Sequence, residues 1–187
     1  MLIWIILGFF VALIAVIILI YNRLVAKRLM SDNGWSDIAV QLKRRADLIP
    51  QIVTTVKVYA AHEKQLFAEV IEKRNAALAA GDDPKTRGGA ESALSRPMGK
   101  LIALKEDYPD LKAAQNFLDL QHELSDTEDK IEMARRFYNG AVREQNIAVQ
   151  SFPANIIAGL FGFNSRDFFE IETSDKALPE FDFEETS

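Results

Sequence analysis

The chain has 187 residues, no cysteine, a formal net charge of −5 and a pI near 5.2. That length accommodates one membrane segment and one domain of ordinary size. The acidic balance argues against a nucleic-acid partner, which would need a basic face to displace counterions from phosphates, and the missing thiols exclude disulfides, thiolate nucleophiles and zinc–sulfur sites.

Residues 2–20, LIWIILGFFVALIAVIILI, carry no charge and one glycine. As a helix they span about 28 Å, close to the ~30 Å hydrocarbon core of a bilayer. Fifteen of the 19 are Leu, Ile, Val or Phe, each favouring insertion by roughly 0.3–0.6 kcal/mol near the centre. A cleaved signal peptide would need a basic amino end, a shorter apolar run and small residues at the cleavage site. These are missing, so residues 1–22 are expected to be an uncleaved transmembrane helix in contact with lipid through 2–20. Trp4 and Tyr21 fall at the two interfaces. Arg23, Lys27 and Arg28 follow the span and no charged side chain precedes it. The positive-inside rule then places the amino end outside and the remainder of a single-pass protein in the cytoplasm.

Residues 23–34 read as a basic juxtamembrane linker, with Ser31-Asp32-Asn33-Gly34 as a hinge that stops one helix and caps the next. From Trp35 a 3–4 spacing then holds to Ala77 through Ile38, Leu42, Arg45, Ile49, Ile52, Val56, Tyr59, Glu63, Leu66, Val70 and Lys73. This is the wide apolar face of a helix in a bundle. Residues 81–84 and 87–89 are expected to form a loop. A weaker helix follows at 90–107, with Pro97 kinking it or delaying its start. After a turn at Tyr108-Pro109-Asp110, a long helix over about 110–149 carries Phe117, Leu120, Leu124, Thr127, Ile131, Ala134, Tyr138, Ala141, Gln145, Ala148 and Phe152 on one stripe. A short apolar piece, NIIAGLFGF at 155–163, closes the folded part. Six acids against Lys176 make residues 171–187 an acidic tail, expected to be disordered. No strand-length alternation occurs. The fold class is therefore all-α: an N-terminal transmembrane helix followed by an up-and-down antiparallel bundle over 35–170, with coiled-coil-like long helices.

Charged side chains interrupt the apolar lines. Arg45 and Glu63 occupy core-type positions, and Glu128 and Arg135 lie one step from the stripe of the long helix. Long cations often bury their stems and keep their heads in water. The sharper reading is a polar layer in which Arg44 or Arg45 meets an acid such as Glu128, fixing register or oligomer state. Lys43, Arg44 and Asp47 flank the core line in solvent. Pro50 removes a hydrogen bond to Ala46 and is expected to bend the helix beside that layer. Lipid phosphates are out of reach, because Arg45 lies about 37 Å beyond Ile20 on an upright helix, far past a Debye length of ~8 Å.

Catalytic patterns are missing. His62 and His122 have no second ligand at helical spacing, and His62-Glu63-Lys64-Gln65-Leu66 lacks the second histidine of a zinc-protease helix. Glu-x-x-His pairs, nucleophile elbows and phosphate loops do not occur. The chain is expected to be non-enzymatic and to use no cofactor or metal.

The residues Tyr21-Asn22 with Leu24-Val25, Trp35, QLKRR and DLIP at 41–50, His62-Glu63, NFLDLQ at 116–121, Thr127-Glu128, ARRFYN at 134–139, Asn146, Phe152-Pro153 and FGF at 161–163 resemble the LemA family of membrane-anchored bacterial proteins. The resemblance runs over about 21–169. It implies a transmembrane helix and an up-and-down bundle, and it brings no reaction with it. The expected role is a membrane-anchored scaffold or adaptor that forms a homo-oligomer or binds another membrane protein, with Trp35 and Tyr138 among its packing residues. The alternative is membrane remodelling or membrane-stress sensing through Phe152, Ile156, Ile157, Leu160, Phe161 and Phe163.

Overall fold

The computed structural model describes residues 1–171; from residue 172 onward the expected disordered tail lies outside them. Among the described residues the fold is all-α, with six helices and no strand. They are α1 (Leu2–Tyr59), α2 (Lys64–Ala79), α3 (Pro84–Ala103), α4 (Pro109–Lys112), α5 (Gln115–Gln150) and α6 (Ala154–Phe161), with a 3-10 turn at Leu104–Glu106. The chain divides into two compact units, Met1–Leu48 with Asp119–Phe169, and Ile49–Leu118 with the chain from Glu170.

In the first unit α1 and α5 run antiparallel. Lys27 meets Glu144, Trp35 meets Tyr138 and Arg45 meets Glu128, so the numbers fall on α5 as they rise on α1. The expected stripes are the buried faces: Ile38, Leu42 and Arg45 on α1, and Leu124, Thr127, Ile131, Tyr138, Ala141 and Gln145 on α5. Phe152 is the exception, because α5 ends at Gln150 and leaves it 80% exposed. The start of α1 holds the one segment, among the described residues, that is long and apolar enough to cross a membrane, and none of its most apolar window is buried.

α1 passes through 31–34 without a break, so the expected linker and hinge is helical. An Asn-Gly pair disfavours helix by roughly 1–2 kcal/mol, and tertiary packing overrides it. A Cβ on Gly34 would lie 3.0 Å from Phe137 Cδ1 and 3.1 Å from Tyr138 Cα, so glycine is there for close approach to α5. Ser31 is fully buried and donates to the Lys27 carbonyl at 3.3 Å, while Asp32 pairs with Arg166. Residues that look like a cap are therefore packing residues.

In the second unit the line expected to run to Ala77 is cut at 60–63. α1 ends at Tyr59, the fully buried Ala60 makes the turn, and Glu63 is the half-buried residue before α2 rather than a core position. α2 buries Phe67, Val70 and Ala77 and packs on α3. α1 also continues through Pro50, whose carbonyl accepts from Thr54 Oγ1 at 2.8 Å.

The loop expected at 87–89 is instead the first turns of α3. Asp83 caps that helix by accepting from the Thr86 amide at 2.8 Å, and Pro84 fills the first position, where its missing N–H costs nothing. Gly88 is buried, and a Cβ there would sit 2.2 Å from the Glu170 carbonyl oxygen. Pro97 is buried inside α3 without ending it. α5 starts at Gln115, later than expected, because the four-residue α4 takes up Pro109–Lys112.

Candidate functional site

Three groups of side chains in the first unit position what the chain can do. The first is ionic. Arg45 Nη1 donates to Glu128 at 3.0 and 3.3 Å. Arg45 is 3% exposed but the Glu128 side chain is 46% exposed. The acid end is wet, so the pair is worth nearer ~1 kcal/mol than the 3–5 of a dry pair broken on one side. Arg44 binds Glu123 at 2.9 Å and Lys43 binds Asp47 at 3.0 Å, both in solvent. Arg135 is half-buried on α5. A more deeply buried ion pair, Arg87 to Glu91 at 3.0 Å within α3, belongs to the other unit and was hidden by reading 87–89 as a loop.

The second group clamps the irregular segment that follows α6. Asn139 Nδ2 donates to the Phe169 carbonyl at 3.0 Å, and the Phe169 amide donates back to Asn139 Oδ1 at 2.9 Å. Asn146 does the same with Arg166, at 2.9 and 2.8 Å. Gln145 donates to the Asn164 carbonyl at 3.1 Å and the Tyr138 hydroxyl to the Asp167 carbonyl at 2.9 Å. Side-chain amides thus satisfy backbone groups that a neighbouring strand would otherwise pair. Trp35 closes the same region, with ring centroids 5.5 Å from Tyr138 and 5.4 Å from Phe169. Asn139 and Asn146 are seven residues apart, each directly after a stripe residue. That repeat was the available signal, and it does not say which backbone it serves.

The third group lies where α1 leaves its apolar segment. Ile157 and Ala158 of α6, with Phe163, pack on Leu24 and against Ile17, Ile20 and Val25 of α1. The Tyr21 ring is 4.9 Å from Phe161 and 5.6 Å from Phe163 in edge-to-face contacts. Gly162, in the left-handed conformation, ends α6, and the Phe163 amide returns to the Ala158 carbonyl. Of the six apolar residues singled out from the sequence, Ile157 and Phe163 therefore face inward. Phe152, Ile156, Leu160 and Phe161 remain 55–80% exposed.

Among the described residues no group of three or more His, Asp or Glu side chains is placed to hold a metal ion. An unbroken helix from an apolar span into an antiparallel pair, with a short apolar helix packed beside the span's exit, defines a membrane-associated helical-bundle protein.

The chain belongs to the LemA family, whose sequence profile matches residues 34–183. It is 25% identical to magnetosome protein MamQ 2 of Paramagnetospirillum magneticum, over 86% of this chain and 68% of that protein. It is 24% identical to magnetosome protein MamQ of Magnetospirillum gryphiswaldense, over 85% and 68%. Protein LemA of Metamycoplasma hominis is 25% identical over 80% of this chain and 70% of its own length. The names of these relatives state no reaction.

Proposed function

We propose that this chain is a non-enzymatic scaffold or adaptor, held in the bacterial inner membrane by residues 2–20, that assembles with itself or with a protein partner. The amino end is outside and the bundle is in the cytoplasm, the side on which Arg23, Lys27 and Arg28 lie. The observation that carries the reading is the locked exit of α1: Gly34, Trp35 and Asp32 tie it to α5 and to the clamped segment, so the anchor leads into ordered structure. Met133 and Phe137, one turn apart on α5, are 60% and 49% exposed and offer an apolar contact for association. Cross-linking detergent-extracted protein over a range of concentrations tests self-assembly. A strictly monomeric result throughout would remove that part of the proposal.

A second reading, membrane remodelling or sensing through 152–163, is favoured by the position of α6. A helix that buries one face on Ile17 and Ile20 sits at the bilayer surface whenever residues 2–20 span it, and its exposed Ile156, Leu160 and Phe161 then meet lipid. The cysteine-free chain allows a single Leu160→Cys spin label in liposome-reconstituted full-length protein. Protection from a water-soluble nickel quencher with access to oxygen supports the contact, and full access to nickel ends it.

A further inference from the structure

Beside α6 a groove of about 210 Å³ opens where α1 leaves the span, and it combines an apolar wall with two cations. Ile20, Leu24, Ala148 and Phe152 supply the wall, and Arg23 and Lys27 line the same groove. We infer that this groove binds one anionic phospholipid of the surrounding leaflet, with the phosphate on Arg23 and Lys27 and the upper part of one acyl chain along the apolar wall. The inference rests on the reading that residues 2–20 span the bilayer and α6 lies at its surface.

Three observations point to lipid. The first is depth. Arg23 lies about 4.5 Å and Lys27 about 10.5 Å past Ile20 along the helix, and the headgroup layer on each side is roughly 5–8 Å thick. Arg23 is thus within that layer. The Lys27 backbone lies about 2–5 Å beyond it, and its long side chain leans back toward the amino end, here toward the membrane.

The second is continuity: Ile20 closes the apolar span and also lines the groove, so a chain lying on it passes directly into the hydrocarbon. The third is size. The groove holds about seven groups of water size at ~30 Å³ each, enough for a phosphate and the top of a chain whose remainder stays in the bilayer. Glu144 also lines the groove and binds Lys27 at 3.1 Å. It holds back part of the positive charge, so removing it should strengthen anion binding.

The test uses the full-length chain in nanodiscs of mixed phosphatidylcholine and phosphatidylglycerol, released into mild detergent and examined by native mass spectrometry. One phosphatidylglycerol should be retained in preference to phosphatidylcholine. Arg23→Gln and Lys27→Gln should each lower that preference about fivefold, the fold-change of ~1 kcal/mol per basic residue near an anionic surface. Glu144→Gln should raise it, and Ala148→Trp should abolish retention with both cations intact, its fold checked by circular dichroism. Ala148→Leu serves if the tryptophan variant does not fold. Equal retention of the two lipids, or a preference unchanged in the Arg23→Gln/Lys27→Gln double variant, overturns the assignment. The spin label at position 160 in the same samples separates the two ideas. Lost preference with the label still in lipid removes the groove alone, whereas a label in water removes the α6 contact on which it rests.

Discussion

Gly34 and Gly140 occupy α1 and α5, respectively, yet the two positions call for opposite outcomes on substitution. A side chain at 34 must push into Phe137 and the Tyr138 backbone, whereas a Cβ at 140 meets nothing within 4 Å. Gly34→Leu is therefore expected to destabilise by about 1–3 kcal/mol through overpacking. Gly140→Ala is expected to stabilise by up to ~1 kcal/mol through helix propensity. Chemical denaturation of the two variants in detergent checks the contrast, and a stabilised Gly34→Leu would contradict it. For Arg45 and Glu128, a double-mutant cycle with Arg45→Met and Glu128→Gln should return a coupling near 1 kcal/mol, because the acid is half in water. A coupling of 3 kcal/mol or more would mean that the layer is dry. The sequence showed that Arg45 breaks the apolar line but not that its partner is wet, since exposure of Glu128 depends on what packs around α5.

At the scale of the elements, the clamp and the α3 cap give separate tests. Asn139→Leu and Asn146→Leu remove both the donor to a backbone carbonyl and the acceptor of a backbone amide, a loss of about 1–3 kcal/mol at each site. Hydrogen exchange should quicken at the Phe169 and Arg166 amides, which donate to those asparagines. Unchanged exchange would show that the segment holds without them.

In α3, the Asp83 carboxyl is held below its ordinary value, first by the Thr86 hydroxyl, then by the Thr86 amide and by nearby Lys85. Its contribution is complete above the unfolded carboxylate pKa of about 3.9 and is lost as pH falls through the lower folded value. Asp83→Ala should therefore melt earlier than the parent at neutral pH, and the difference should close in strong acid.

The long stripes of α1 and α5 were legible because burial at 3–4 spacing leaves a direct trace. The break at 60–63 was not, because Val56, Glu63, Val70 and Ala77 are seven apart and keep their phase across the turn. The passage of α1 through Asn33-Gly34 was hidden for another reason: local propensity favours a stop there, and only contact with Phe137 and Tyr138 reverses it. The clamp was illegible because Asn139 and Asn146 bond to backbone some 20–30 residues further on.

For the whole molecule, what unites these features is a membrane anchor that enters ordered structure directly. The apolar start of α1, the α6 helix against its exit and the clamp on 164–169 all belong to one unit. The exposed Met133 and Phe137 give that unit an apolar face on α5, and the proposed association places another chain there. Cross-linking of the full-length chain in intact membranes through a single Met133→Cys, with a short maleimide–diazirine reagent that couples to any neighbouring side chain, tests that association most directly. The account predicts cross-linked species heavier than the monomer, either multiples of this chain or this chain with one recurrent partner, that diminish when Phe137→Glu is added, with circular dichroism and melting checking that the fold survives, since the Phe137 ring also lies beside Gly34. Monomer alone, at every expression level tested, would contradict it.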